Sequence, residues 1–172
     1  MLYLHGGGYL AAGPHMFRGF VTRLVHGTGV HAFVADYRLA PEYPYPAALE
    51  DALAVYDELL QANDPDTMLI AGDSAGGGLT AAVLAELGTE HRPHPAGALM
   101  FSPEVDLTLS ERSILLNAAT DILPDHPDFE SYLHGVEPKA EFSSPLYADM
   151  SDCPPVFVVA GADAFCARVL AS

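Results

Sequence analysis

The amino-acid sequence has very few basic residues. Its 172 residues include 7 lysines and arginines against 23 aspartates and glutamates, which gives a formal net charge of −16 at pH 7. Proteins that bind nucleic-acid phosphates or anionic lipid present a basic surface to them. The composition therefore argues against nucleic acid and membrane surfaces as partners, and it favours solubility.

The sequence also lacks long hydrophobic runs and has only two cysteines. No apolar segment approaches the roughly 20 residues of a membrane span, and Met1 to Ala12 lack the basic start and long apolar middle of a signal peptide. Cys153 and Cys166 are too few for a disulfide framework in a chain of this length, so we expect two reduced thiols. We accordingly expect a cytoplasmic protein without a membrane span.

Apolar residues are plentiful enough for one hydrophobic core. They make up 50% of the sequence, which predicts a single compact domain over residues 1–172. Short apolar runs alternate with segments of helical spacing, and this alternation predicts the α/β class, with a mostly parallel sheet covered by helices on both faces. Five strands, each buried on both faces, are predicted at Leu2–Leu4, His31–Ala35, Met68–Ala71, Ala98–Phe101 and Val156–Ala160.

Helical spacing of the apolar residues predicts two amphipathic helices, over Phe17 to Val25 and over Leu49 to Leu60. Gly27 stands where a helix commonly ends in a left-handed residue. The region from Glu104 to Ser151 is rich in proline and aspartate, and we expect it to be irregular, with a short helix at Asp128–Leu133.

The segment Gly72-Asp73-Ser74-Ala75-Gly76 matches the pattern G-x-S-x-G between a predicted strand and a predicted helix. In that context the serine occupies a tight turn, and its neighbours must be small because larger side chains would collide with the strand and the helix. The N–H of Ala75 would lie at the helix N-terminus, where developing negative charge is favoured. Ser74 is therefore a candidate nucleophile, and the alternative is a glycine-rich turn that serves only close packing.

The segment His5-Gly6-Gly7-Gly8 supports two interpretations. Consecutive glycines are costly to order unless the backbone must approach something closely, and an oxyanion hole requires such unobstructed N–H groups. Alternatively, Gly6-x-Gly8-x-x-Ala11 with Asp36 after the next strand fits a dinucleotide site. Against the dinucleotide interpretation, Pro14 places the helix start beyond the glycines, and Ser74 is left unexplained.

Five segments occur in the order in which similar segments run through the hormone-sensitive-lipase-like esterases of the α/β-hydrolase fold. They are HGGGY, DYRLAPEYPYPAALEDAL, GDSAGGG, SPEVDLT and SPLYADMSDCPPVFVVAGAD. The resemblance extends over nearly the whole chain. It implies a carboxylic ester hydrolase that acts on short- to medium-chain acyl esters by a serine acyl-enzyme mechanism. It also implies a small-molecule ester substrate and neither a metal nor an organic cofactor.

The same resemblance implies roles for individual residues. Ser74 resembles the family nucleophile, and Asp163 stands in the place of the triad acid. Arg38 and Glu42 are expected to tie a loop together. The oxyanion-hole amides are assigned to Gly7, Gly8 and Ala75.

The sequence offers no obvious general base. A serine hydroxyl becomes a good nucleophile when a histidine takes its proton, and the chain order in this fold is Ser, Asp, His. The nine residues after Asp163 contain no histidine, whereas family chains continue to a His-Gly pair. His126 and His134 are the least implausible substitutes, although a surface or locally bonded imidazole is the simpler interpretation of each. His91 and His94 have the spacing of a metal pair, without an evident further ligand.

Three explanations of this sequence remain open. The chain is a fragment of an esterase, which we favour, or a shortened homologue that only binds small ligands, or a member of an assembly that borrows a histidine. The resemblance also implies that strands usually preceding the first one are lacking here. His31–Ala35 should then form a sheet edge, which predicts self-association through exposed edges.

Overall fold

The computed structural model describes residues 1–109 and 128–161. Within them, five strands form one parallel sheet in the order β2-β1-β3-β4-β5. The strands are β1 (Leu2–Leu4), β2 (Phe33–Val34), β3 (Leu69–Asp73), β4 (Gly97–Phe101) and β5 (Val156–Val159). The predicted α/β class and the predicted strand positions are confirmed.

The helices of the described residues connect these strands. They are α1 (Pro14–Thr28), α2 (Ala47–Leu60), α3 (Ala75–Thr89) and the short α4 (Phe129–Leu133), with 3-10 turns at Pro65–Thr67 and Pro145–Tyr147. None of the helices in this part of the chain has the length and hydropathy needed to cross a bilayer.

Helix α1 ends two residues later than expected. Its left-handed cap is Gly29, with a φ of 71°, and the Gly29 N–H donates to the Val25 carbonyl oxygen at 2.8 Å. The prediction of a cap at Gly27 was therefore wrong. Gly27 and Gly29 both fit the sequence pattern of a helix end. The cap forms at Gly29, because its N–H is the donor for the Val25 carbonyl oxygen of the last turn.

Helix α3 lies against the centre of the sheet. It is buried from Ala75 to Ala85 and again at Leu87, apolar on nearly every side, and packs on β1, β3, β4 and α2. Its approach to β1 is so close that a Cβ at Gly76 would lie 2.1 Å from the Leu4 carbonyl oxygen. This contact fixes the start of α3 relative to the loop that follows β1.

Helix α1 packs on the opposite face of the sheet and is far less buried. Among its residues only Val21 is buried, in a cluster with Tyr3 and Ala71 of the sheet. Met16 and Phe20 are 66% and 39% exposed. Helices thus lie on both faces, as predicted, but the face that carries α1 is only partly covered.

The strands β2 and β5 form the two edges of the sheet in the described residues, and the predicted edge at His31–Ala35 is confirmed. The prediction that every strand is buried on both faces was wrong for these two. Phe33 in β2 is 51% exposed, and Phe157 in β5 is 62% exposed. The reason is that the helices pack over the middle of the sheet.

The loop after β2 is tied to α2 by Arg38. Its guanidinium lies 2.8 Å from Asp51 and 3.1 Å from Glu50. The backbone N–H of Arg38 also donates to the Asp51 carboxylate, at 2.8 Å. Burial acts to raise the pKa of Asp51, but the bonds from Arg38 outweigh it and hold that pKa below its usual range. The expectation that Glu42 ties this loop together with Arg38 was wrong, because Arg38 pairs with Glu50 and Asp51, two adjacent carboxylates of α2.

Candidate active site

Ser74 lies in the turn between β3 and α3, in a conformation that few residues other than glycine adopt. Its φ is 50° and its ψ is −121°. Its N–H donates to the Phe101 carbonyl oxygen at 2.9 Å, and its own carbonyl oxygen accepts from Gly78 at 3.0 Å and from Glu104 at 2.9 Å. The strained turn is therefore held by the end of β4 and by the first turn of α3.

The residues on either side of this turn have no room for side chains. A Cβ at Gly72 would lie 2.2 Å from the Gly76 carbonyl oxygen, and a Cβ at Gly76 would lie 2.1 Å from the Leu4 carbonyl oxygen, which explains why the sequence has glycine at both places. Close packing alone explains these two glycines, but it does not explain a strained serine between them. Strain of this kind is concentrated at functional sites, which favours a functional interpretation of Ser74.

The glycine-rich loop after β1 adopts a conformation that requires glycine. Gly7 and Gly8 have φ values of 129° and 64°, and a Cβ at Gly7 would lie 2.1 Å from the Ala11 carbonyl oxygen. The Gly7 carbonyl oxygen accepts from the N–H groups of Leu10 and Ala11 at 3.1 and 3.0 Å. Among the hydrogen bonds of the described residues, the N–H groups of Gly7, Gly8 and Ala75 have no acceptor. None of these three residues is among the residues that line the cavity in front of Ser74, so their role as oxyanion-hole donors stays a prediction.

Asp73 joins the serine turn to the glycine-rich loop. Its Oδ1 accepts from the Tyr3 hydroxyl at 2.7 Å and from the Gly6 N–H at 3.0 Å. Burial raises the pKa of Asp73, while these two hydrogen bonds act in the opposite direction. Burial and the neighbouring Asp73 also raise the pKa of Tyr3, so its hydroxyl remains a donor. One carboxylate thus positions the residue just before Gly7 and Gly8.

Sequence reasoning missed Asp73, because the pattern G-x-S-x-G leaves its position open. The parallel register aligns Leu4 with Gly72, so the residue before Ser74 comes next to the loop that leaves β1. The contact between Asp73 and Gly6 follows once β1 and β3 are known to be neighbours in the sheet.

We expect Asp73→Ala to slow the reaction of Ser74 with a phosphonate by about 10²-fold, because small misplacements of catalytic groups have effects of that order. The change leaves the Tyr3 hydroxyl and the Gly6 N–H without their acceptor, at about 1–3 kcal/mol each. Asp73→Asn is the matched control, because its amide oxygen can accept both hydrogen bonds. The measurement is the labelling rate of both variants by mass spectrometry, and equal rates would contradict a positioning role.

His5 has a structural environment. It is fully buried, its ring stacks on Tyr37 with centroids 4.3 Å apart and on Phe17 at 5.6 Å, and its Nδ1 lies 2.8 Å from the Gly6 carbonyl oxygen. The Tyr37 hydroxyl donates to the His5 carbonyl oxygen. These contacts fix the beginning of the glycine-rich loop.

A cavity of about 490 Å³ opens in front of the serine turn. Most of its lining residues are apolar or aromatic, and Asp73, Ser74 and Ser102 are the polar ones. Its lining residues are Tyr3, Met16, Phe17, Phe20, Asp73, Ser74, Phe101 and Ser102.

No histidine of residues 1–109 and 128–161 lines this cavity. His134 is exposed at the end of α4, which argues against it as a base, while His126 and Asp163 lie outside the described residues. His91 and His94 have no third metal-binding side chain grouped with them in the described ranges. The general base is therefore not found in this part of the chain.

The geometry disfavours a dinucleotide site. Helix α1 begins at Pro14, so its N-terminus lies beyond the glycine-rich loop rather than at its glycines. The Gly6 N–H, which would face a phosphate, already donates to the carboxylate of Asp73. A phosphate there would be repelled by that carboxylate.

A parallel sheet that presents a strained serine between a strand and a helix, beside a glycine-rich loop, is the arrangement of an α/β hydrolase. The chain matches the family described as alpha/beta hydrolase fold over residues 1–170 and belongs to it. It is 38% identical over 168 residues to an acetyl-hydrolase of Streptomyces hygroscopicus, covering 95% of this chain and 56% of that protein. It is 34% identical over 175 residues to the carboxylesterase NlhH of Mycobacterium tuberculosis, covering 92% and 54%.

Solved structures agree with this assignment. The crystal structure of EstE5 soaked with p-nitrophenyl butyrate matches with a TM-score of 0.93 and 38% identity, covering 96% of this chain and 57% of that one. A hormone-sensitive lipase from a metagenome library matches with a TM-score of 0.92 and 42% identity, covering 96% and 58%. The resemblance to hormone-sensitive-lipase-like esterases is confirmed. The chain spans between 54% and 58% of the length of these four proteins.

Proposed function

We propose that the complete protein hydrolyses carboxylic esters of short to medium acyl chains, with Ser74 as the nucleophile. The observation that carries this proposal is the strained conformation of Ser74, which is held between β3 and α3 and lines a mostly apolar cavity. The names of the relatives, acetyl-hydrolase and carboxylesterase, support the same chemistry.

The proposed reaction is acyl transfer in two steps. The Ser74 hydroxyl oxygen attacks the carbonyl carbon of the ester while its proton passes to a base. The carbonyl oxygen becomes an oxyanion, to which the N–H groups of Gly7, Gly8 and Ala75 donate. The alcohol then leaves with a proton, and water attacks the acyl-enzyme to release the acid and restore the serine.

The base and its supporting acid complete the proposal. Asp163 is the proposed acid, which would fix the histidine tautomer and stabilise the imidazolium. The proposed base is a histidine other than those that the structure describes. The cavity is open in front of Ser74, so a small base from solution can reach the hydroxyl.

Imidazole rescue tests this proposal on the chain as it exists. We expect a short-chain fluorophosphonate to modify Ser74 slowly, and the rate to rise in proportion to added imidazole, because imidazole takes the place of the histidine base. Peptide mapping identifies the modified residue, and a short-chain p-nitrophenyl ester follows turnover. Modification of another residue, or no response to imidazole in a folded sample, would contradict the proposal.

A second candidate function is ligand binding without catalysis. It is favoured by one observation, the lack of a histidine among the described residues that line the cavity. Binding that saturates and does not change in Ser74→Ala, together with no modification of the serine, would identify this function. The cytoplasmic location and the self-association through sheet edges stay predictions.

A further inference from the structure

The glycine-rich loop after β1 continues into a buried stack of two tyrosine rings. Tyr9 directly follows Gly8, has a φ of 64°, and is 2% exposed. Its ring lies face to face with the ring of Tyr132 in α4, with centroids 3.9 Å apart and an angle of 8° between the two planes. A tyrosine rarely adopts this φ, so contacts elsewhere in the fold must hold the backbone at Tyr9.

The hydroxyl of Tyr9 reaches the first turn of α3. It occupies space that a side chain at Gly78 would need, because a Cβ there would lie 2.6 Å from this hydroxyl oxygen. The Gly78 N–H in turn donates to the Ser74 carbonyl oxygen at 3.0 Å. Tyr9 therefore connects the glycine-rich loop with the turn that carries the candidate nucleophile.

The segment between β2 and α2 holds both tyrosines. The Tyr45 N–H donates to the Tyr132 carbonyl oxygen at 2.7 Å, and the two rings meet edge to face, with centroids 5.8 Å apart. The Ala40 N–H donates to the Tyr9 carbonyl oxygen at 2.9 Å. Tyr9 is thus held at its backbone by Ala40 and at its ring by Tyr132.

We propose that Tyr132 is a positioning residue for the proposed hydrolysis and that it acts through the ring of Tyr9. The stack holds the glycine-rich loop, with the proposed oxyanion donors, at a fixed distance from Ser74. This inference rests on the proposed function, since it takes the oxyanion to form beside that loop. Stacked rings have a preferred geometry that an aliphatic side chain does not impose. Because a misplacement of about 1 Å can slow a reaction about 10²-fold, a partial loosening of the loop should slow the reaction of Ser74 about tenfold.

The variant Tyr132→Leu tests this inference, because leucine is apolar but has no ring to stack. Tyr132→Phe keeps the ring and is the conservative variant. The matched control is Tyr56→Leu, because Tyr56 is also a buried tyrosine but lies in α2 and donates its hydroxyl to the Pro93 carbonyl oxygen at 2.9 Å. Phosphonylation of Ser74 is followed in each folded variant at one imidazole concentration and over a range of fluorophosphonate concentrations.

We expect Tyr132→Leu to lower the maximal rate of phosphonylation about tenfold and to leave the half-saturating phosphonate concentration within about twofold. The reason is that neither tyrosine of the stack lines the cavity in front of Ser74. Tyr132→Phe and Tyr56→Leu should both react within about twofold of the parent chain. In the Tyr9→Leu background, Tyr132→Leu should lower the rate by less than about twofold, because both changes remove one shared contact.

Hydrogen exchange follows the loop without any reaction at the serine. The N–H groups of Leu10 and Ala11 donate to the Gly7 carbonyl oxygen, so they are protected only while the loop keeps its conformation. Compared with the amides of β3 in the same sample, both should exchange roughly tenfold faster in Tyr132→Leu than in the parent chain. Tyr132→Phe should leave their exchange unchanged.

Equal maximal rates in Tyr132→Leu and Tyr132→Phe would overturn the inference, and so would an equal loss in Tyr56→Leu. A loss that appears only as a higher half-saturating concentration would also overturn it. If Tyr132→Leu does not fold, Tyr132→Met replaces it, since methionine adapts to irregular space and has no ring. If the parent chain shows no phosphonylation of Ser74 while hydrogen exchange changes as described, the proposed hydrolysis is overturned and the positioning of the loop by Tyr132 stands.

Discussion

Replacing Ser74 with alanine is expected to abolish the imidazole-dependent part of ester turnover and all phosphonate modification at this position. The loss should reach about two orders of magnitude or more, down to the rate of imidazole alone in solution. The physical reason is that the proposed acyl-enzyme forms on the Ser74 hydroxyl oxygen, which alanine lacks. The measurement is the difference in initial rate between the two chains across a range of imidazole concentrations.

Ser102→Ala is the matched control for this change. Ser102 also lines the cavity, has a φ of 44°, and donates its N–H to the Val159 carbonyl oxygen at 2.6 Å. The loss of this hydroxyl should leave the rate within about twofold of the parent chain, because Ser102 is not the proposed nucleophile and substitutions of exposed residues usually have small effects. A loss as large as that in Ser74→Ala would assign the nucleophile to the wrong serine.

The second large effect is expected from Gly76→Ala, which should lower the free energy of unfolding by about 3 kcal/mol or more. The new Cβ would lie 2.1 Å from the Leu4 carbonyl oxygen and 2.5 Å from the His5 carbonyl oxygen. Both contacts are with backbone atoms, which cannot rotate away as a side chain would. Helix α3 would have to move off β1, and urea denaturation followed by circular dichroism measures the cost.

Gly19→Ala provides the control with the opposite sign. Gly19 lies inside α1, and a Cβ there meets nothing within 4 Å. Alanine is favoured over glycine inside a helix by roughly 0.5–1 kcal/mol, so this variant should unfold at a slightly higher urea concentration. If both alanine variants behaved alike, the close approach of α3 to β1 would not be a determinant of stability.

Much of the fold could be predicted because buried strands and amphipathic helices leave strong periodic signals. The positions of all five strands followed from apolar runs, and the turn at Ser74 followed from the small residues around it. Local patterns identified these features because their causes are local. The short helix predicted at Asp128–Leu133 is found at Phe129–Leu133, where the Asp128 side chain accepts from the Ser131 N–H at 3.1 Å.

Contacts between distant segments could not be predicted in the same way. The partners of Arg38 depend on how α2 lies against the loop after β2, and the role of Asp73 depends on the pairing of β1 with β3. The exposure of Phe157 depends on which part of a sheet face a helix reaches. The triad acid and base stay undetermined, because Asp163 lies outside the described residues and no described histidine lines the cavity.

Helices α1 and α3 cover opposite faces of the sheet and are buried to very different extents, which has an evolutionary consequence. The serine turn is bonded to β4 and to a helix buried over most of its length, so a substitution there disturbs the whole sheet. Helix α1 has one buried residue, Val21, and its exposed positions, such as Met16, tolerate exchange at little cost in stability. The exposed positions of α1 can therefore diverge among descendants of this sequence, while the serine turn is inherited with little change.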